Sequence, residues 1–190
     1  MAGGKAVDSK PIRIIMDPQV PFSEAQHRRY NEILMDLHAM QQRGAHAATA
    51  LDAVYSQMTG VGTKVKDAAT MSPQDRAQFD AFSKNFDSLR VKFGVPLNAA
   101  AAGGRGGGGG GGRGGGGDPQ NVLARAGALK TGIMAFWEPP SDALVKQYNS
   151  VKVDLPRAVS DANAFLGRAS AMSQTLKKYD ITLTVPAPVK

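Results

Sequence analysis

Residues 24–58, EAQHRRYNEILMDLHAMQQRGAHAATALDAVYSQM, decide the fold. Apolar or small residues recur at Tyr30, Ile33, Leu37, Met40, Gly44, Ala47, Leu51, Val54 and Met58, at intervals that alternate between three and four. That period keeps one face of an α-helix apolar along its whole length. Ser23 offers a side-chain cap and Glu24 an acid for the first turn, so the sequence predicts a helix over Glu24–Thr59. At about 1.5 Å per residue it is about 54 Å long. A stripe this narrow packs along one seam, as in bundles and coiled coils. Gly44, Ala45, Ala47 and Ala48 thin the seam at mid-length, where another backbone can approach.

The chain next supplies a cover for that seam. Ser72 is a cap and Pro73 occupies the first helical position, where its missing N–H costs nothing. Phe79, Phe82, Phe86, Leu89 and Phe93 then repeat the three-four spacing until Gly94 and Pro96 stop the helix. Such a ridge cannot stay wet in a stable monomer. Phe79, Phe82, Phe86 and Phe93 are therefore expected either to cover the first helix or to meet a partner protein.

Ala99–Gly117 breaks the pattern. Four alanines lead into a run that holds 13 of the 22 glycines, interrupted by Arg105 and Arg113. Glycine has no side chain to bury and loses the most entropy on ordering, so a flexible linker is expected here. Beyond it, Asp118–Pro119 is expected to start a short helix carrying Val122, Leu123, Ala126, Leu129, Ile133 and Phe136, and Glu138–Pro139–Pro140 to end it. Ser141 and Asp142 open a long helix whose apolar face runs from Leu144 through Tyr148, Val151, Leu155, Ala158, Ala162, Phe165, Ala169, Met172 and Leu176 to Tyr179. Pro156 lies inside it and predicts a kink or break near Val153–Leu155.

Two short β-like pieces flank the helices, Pro11–Met16 and Ile181–Val185. Strands this short are marginal alone, so Ile12, Ile14, Ile181, Leu183 and Val185 are expected to pair with one another or to complete a partner's sheet. The chain thus divides into an N-terminal tail and strand (1–22), a first helix pair (23–97), the linker (98–117), a second helix pair (118–180) and a C-terminal strand and tail (181–190). The expected fold is all-α, a four-helix bundle of two antiparallel helix pairs with short terminal strands.

Composition narrows the chemistry. The 190 residues carry 23 Lys and Arg against 16 Asp and Glu, a net charge of +7, with 42% hydrophobic content and no cysteine. That hydrophobic content suits a folded chain, and the missing cysteines exclude disulfides, thiolate metal sites and cysteine nucleophiles. No apolar run is long enough to span a bilayer, and Met1–Lys10 lacks the apolar centre of a secretory signal, so an exported form would carry its signal on a longer precursor. His27, His38 and His46 lack the three- or four-residue spacing of zinc ligands. Asp75, Asp80, Asp87, Asp154 and Asp161 read as polar faces of amphipathic helices, with no context for a paired acid and base. The glycine run lacks the lysine and hydroxyl of a phosphate loop. No catalytic residue, cofactor or metal is expected.

Arg105 and Arg113 in glycine, with pI ≈ 9.8, raise nucleic acid as a partner. Only two arginines stand in the run and no aromatic is interleaved, so stacking platforms are missing and nucleic acid is disfavoured. Attachment to a membrane surface is disfavoured too. The stripes carry Gly44, Ala47, Ala158 and Ala162 where an interfacial helix wants large residues, and the polar faces mix charges.

Ile15–Met16–Asp17–Pro18–Gln19–Val20 leads into the first long helix. Later come Asp118–Pro119–Gln120–Asn121, a short helix, Pro139–Pro140–Ser141, and a long helix holding Asp154–Leu155–Pro156. This order resembles the C-terminal helical region of large bacterial exported proteins with sortilin-like or sialidase-like β-propellers, often labelled glycosyl hydrolases. In that family a strand ending in a similar Asp-Pro-Arg-Val motif closes a β-sandwich and leads into helices. The resemblance covers about Ile12–Leu183, and it implies a periplasmic or other extracytoplasmic setting. The sequence departs from the family in having no propeller blades and no Ser-x-Asp-x-Gly-x-x-Trp turn, with Trp137 as its one tryptophan. The glycine run also replaces the family's middle segment. No residue here inherits the enzymatic label. The expected role is a non-catalytic structural or protein-interaction module, an accessory subunit or domain of a larger assembly; the alternatives are an accessory domain of a sialidase- or glycosidase-like enzyme and a nucleic-acid-binding protein.

Overall fold

Each helix begins where a short polar side chain satisfies its first backbone donors. The structure, a computed structural model, describes residues 10–12, 15, 23–95, 120–136 and 138–189. Helix α1 spans Glu24–Asp67 behind a reciprocal cap: Gln26 N donates to Ser23 Oγ at 3.2 Å and Ser23 N donates to Gln26 Oε1 at 2.8 Å. Helix α2 spans Pro73–Arg90, with Asp75 N donating to Ser72 Oγ at 3.1 Å, and a 3-10 turn over Val91–Phe93 prolongs it. Helix α3 spans Val122–Met134 and helix α4 Asp142–Lys177, the latter capped by Ser141. The fold is all-α, with the four helices packed around one core.

Three boundaries differ from expectation. Helix α1 continues past Thr59 to Asp67 because Val61 and Val65 keep its stripe buried. Its end needs no glycine: Arg76 of α2 donates to the carbonyls of Val65 at 2.6 Å, Lys66 at 3.2 Å and Ala68, which are acceptors a helix end otherwise leaves open. The cap of α3 is Asn121, whose Oδ1 accepts from Ala124 N at 2.9 Å; the expected Asp118–Pro119 start lies outside the described residues. Helix α4 runs unbroken through Pro156. The proline sits on the exposed side while Leu155 and Ala158, each 1% exposed, hold the turn to the core, so packing outweighs the lost backbone bond.

Pairs of contacting residues fix the direction of every helix. Along α1 and α4, Asp36 meets Tyr148 and Gly44 meets Leu155, so the two longest helices run parallel. Along α1 and α2, Arg76 reaches Val65 while Phe86 meets Tyr55, which is antiparallel. Helix α3 is also antiparallel to α1, since Gly44 meets Leu123 and Tyr30 reaches Ile133. Helices α2 and α3 therefore follow one another along the same groove between α1 and α4, with Gly94 at the end of one beside Asn121 at the start of the other. The two antiparallel pairs do not stand side by side as a four-helix cross-section. Each level of the bundle has three helices, with the middle position shared between α2 and α3.

The core follows from this arrangement. Phe165 of α4, fully buried, stacks on Phe82 at 4.8 Å and on Phe86 at 4.7 Å between ring centroids, both at 14°. Gly44 leaves room for Leu123 and Leu155; a Cβ there would stand 2.9 Å from Leu123 Cδ1. Among the described residues there is no β-strand. Ile181–Val185 is extended but lies on the helices, and Arg13, Ile14 and Met16 of the Pro11–Met16 piece lie outside the described residues, as does the glycine run.

Candidate functional site

The residues expected either to pack within the chain or to meet a partner, the interaction candidates, separate into two groups. Phe79, Phe82, Phe86 and Phe93 are 2–6% exposed, and they cover α1 and α4 rather than facing outward. Ile181 and Leu183 are buried as well, and Val185 is half-buried against the same core. The correction is physical: the parallel α1 and α4 leave grooves on both sides, the phenylalanines fill one, and the C-terminal segment lies over α1 and α4 elsewhere. Ile12, at 88% exposed, is the one described member of the set that faces solvent.

The C-terminal segment is held without a partner strand. Thr184 N donates to Gln57 Oε1 at 2.8 Å while Gln57 Nε2 donates back to Thr184 O at 2.9 Å. Further along, Val189 N donates to Asn163 Oδ1 at 2.8 Å and Asn163 Nδ2 donates to Val189 O at 2.9 Å. Between α4 and the segment, Ser173 Oγ donates to Leu183 O at 2.6 Å. Two side-chain amides thus reproduce the paired bonds of a strand ladder. The alternation in ITLTV reflects a backbone that is extended and half covered, with amides in place of a neighbour strand. Beside the segment's end is an open groove of about 600 Å³, formed by Arg43, His46, Thr49 and Ala50 of α1 with Pro186 and Val189.

The side chains best suited to proton chemistry are engaged between helices. Tyr148 of α4 donates its hydroxyl to Asp36 Oδ2 of α1 at 2.5 Å, and Lys152 donates to Tyr148 Oη at 3.0 Å and pairs with Asp36 at 3.1 Å. The hydroxyl bond, helped by the ammonium, holds the Asp36 carboxyl below the usual aspartate range despite some desolvation. Burial, together with donation to a carboxylate, pushes the Tyr148 phenol up. The same two partners raise Lys152, so it stays an ammonium.

The other end of α4 repeats the device. Tyr179 donates to Asp75 Oδ2 at 2.5 Å and Ser72 Oγ donates to the same oxygen at 2.9 Å; these bonds, the phenol's first, lower the Asp75 carboxyl. In between, Arg125 of α3 pairs with Asp154 at 3.1 Å and Lys92 pairs with Asp161 at 2.9 Å. Arg90, 2% exposed, donates to Asp87 and to Val95 O and lies over the Tyr55 ring at 5.3 Å. A general acid at neutral pH needs a carboxyl pushed up, and Asp36 and Asp75 move the other way. This set clamps α4 to α1, α2 and α3 and keeps its charges fixed.

His38 and His46 are exposed and His27 is half-buried, with His27 Nδ1 3.2 Å from Asn31 Nδ2 and His38 Nδ1 3.3 Å from Lys130 Nζ. Among the described residues no group of three His, Asp or Glu side chains could hold a metal ion, and no helix is long and apolar enough to cross a membrane. Sequence reasoning placed Tyr148 and Tyr179 only as apolar stripe positions and passed over Gln57, Asn163 and Ser173. The available signal was the polar group within or beside an apolar stripe, which needs a partner once buried. The chain matches no family model, no curated protein and no solved structure.

Proposed function

We propose that this chain is a non-catalytic helical module that takes part in protein–protein assembly, as a subunit or domain of a larger extracytoplasmic structure. One observation carries the reading. The tyrosines, aspartates and lysine that could move protons are bonded across helix interfaces at both ends of α4, with Asp36 and Asp75 held ionised. Such bonds stiffen a rod in which α1 alone has 44 residues, or about 66 Å at about 1.5 Å per residue. A stiff rod presents long helix faces at fixed angles, which suits assembly. The order of Asp17–Pro18–Gln19–Val20 ahead of α1 in the sequence supports the resemblance to helical regions of exported propeller proteins, and with it a setting outside the cytoplasm.

Lysine cross-linking and mass spectrometry of the native complex test the proposal. Recurrent links from this chain to one other protein, at near-stoichiometric yield, are expected. A chain that elutes alone and links only to itself refutes the assembly role. Hydrolysis of a glycoside or sialoside by the purified chain refutes the non-catalytic one.

A further inference from the structure

The solvent face of α4 has an unusual charge balance. Between Asp142 and Asp180 the helix holds two acids, Asp154 and Asp161, and each is paired sideways with a cation of the neighbouring α3 or 3-10 turn. Its exposed cations Lys146, Arg157 and Arg168 form no ion pair with described residues. Lys146, Arg157 and Arg168 are 11 residues apart, which returns them to one line after three turns, about 16 Å from one to the next. The α1 surface, by contrast, alternates signs, as in the Glu24–Arg28 and Arg29–Glu32 pairs.

We infer that the outer face of α4 from Lys146 to Arg168 is a docking surface for an acidic α-helix of another protein. The inference rests on the assembly role proposed above and names the surface and the partner's chemistry. Charge complementarity selects an acidic occupant. The spacing selects a helix, because a partner helix alongside shares the rise of α4 and can bring a carboxylate to each cation at the same 11-residue interval. A nucleic acid presents phosphates far more densely than one cation every 16 Å or so, and no aromatic residue stands on this face for bases to stack on. Ser160, Ala164 and Gly167, all exposed, keep the surface low between the cations, so a second backbone can come close. Val153, 58% exposed, adds an apolar contact on the same line.

The test uses the full chain and three fluorescent probes: a helical peptide of about 22 residues with Glu along one face, matching roughly 30 Å of α4, a proline-interrupted peptide of equal charge, and a DNA duplex. Anisotropy titrations are compared for the native chain, Arg157→Glu/Arg168→Glu, and Gly167→Trp. A Cβ at Gly167 meets nothing within 4 Å in the chain itself, so a tryptophan there has open space to project into and obstructs a helix that docks on this face. The helical peptide is expected to outbind the interrupted one and to lose about tenfold or more, the equivalent of about 1.4 kcal/mol, with either variant. Binding that ignores both peptide helicity and Gly167→Trp would reduce the face to a general polyanion surface and overturn the inference. Duplex DNA bound more tightly than the helical peptide would assign the face to nucleic acid. No binding of the peptide would remove this surface, while cross-links to a partner elsewhere on the chain would leave the assembly role standing.

Discussion

Replacing Gly94 by alanine probes the junction between α2 and α3, on which the shared middle position depends. Gly94 has φ 67°, a left-handed conformation that costs an L-residue about 1–2 kcal/mol. It closes α2 with Gly94 N donating to Val91 O at 3.1 Å and Val95 N to Arg90 O at 3.2 Å. A Cβ on Gly94 would also collide with Nδ2 of Asn121, the residue whose Oδ1 caps α3. Displacing that cap costs about 1 kcal/mol more, so Gly94→Ala should destabilise by roughly 2–3 kcal/mol. Asn121→Ala alone should cost about 1 kcal/mol. In the double variant the collision disappears and the cap is already lost, so the costs fall short of additivity by about 1 kcal/mol. Urea denaturation followed by circular dichroism reads all three, with an unchanged slope as the check on a common unfolded state. A cost below about 0.5 kcal/mol for Gly94→Ala, or strict additivity in the cycle, would show that the two helix ends do not meet as described.

Phe86→Ala empties a place 2% exposed against Phe165 and Tyr55 and should cost about 3–5 kcal/mol in the same assay; a stable variant would move the phenylalanine ridge out of the core. Asp36 and Asp75 titrate lower folded than unfolded, so the stability they contribute is complete above the ordinary aspartate range and is lost as the pH falls through their depressed values. Asp36→Asn with Asp75→Asn should flatten that acid limb in urea titrations, and an unchanged limb would contradict the clamps. The Thr184 amide, bonded to Gln57, should be protected from hydrogen exchange in the isolated chain and released by Gln57→Leu; fast exchange in the native chain would return the segment to the role of an open strand. Deleting Gly103–Gly112 should leave helicity intact and change stability by about 0.5 kcal/mol, because loop-closure entropy varies slowly with length. A loss of helicity would mean that those glycines make specific contacts.

Much of the helical content was legible because caps and stripes are local signals. Ser23, Ser72 with Pro73, and Ser141 marked three starts correctly, and the stripe from Tyr148 to Leu176 named the buried face of α4 nearly residue by residue. What failed were judgements that local rules cannot make. The stripe was followed only to Met58 and the helix to Thr59, yet Val61 and Val65 carried α1 onward because α2 was there to cover them. Pro156 read as a break, yet its lost bond is small beside the burial of Leu155 and Ala158. The parallel pairing of α1 with α4 left no mark, since a stripe says which side is buried and not against what. The candidate contacts fared likewise: an apolar ridge looks the same whether its cover is the chain's own helix or another protein. The amide clamps at Gln57 and Asn163 were invisible because their partners are backbone atoms more than 20 residues away.

The meeting of Gly94 with Asn121 makes the junction a natural splice point. Both ends of whatever joins α2 to α3 leave the bundle at one place, so the connection can lengthen, shorten or carry another domain without altering the direction of any helix. The same geometry means that the chain, cut there, becomes two helical hairpins, each missing the other's half of the shared groove. Neither half has a complete core, because Phe82 and Phe86 lie on one side of the cut and Phe165 on the other. The fragments should each be weakly structured and should fold on mixing, like a two-part reporter whose signal is reconstitution of the aromatic stack.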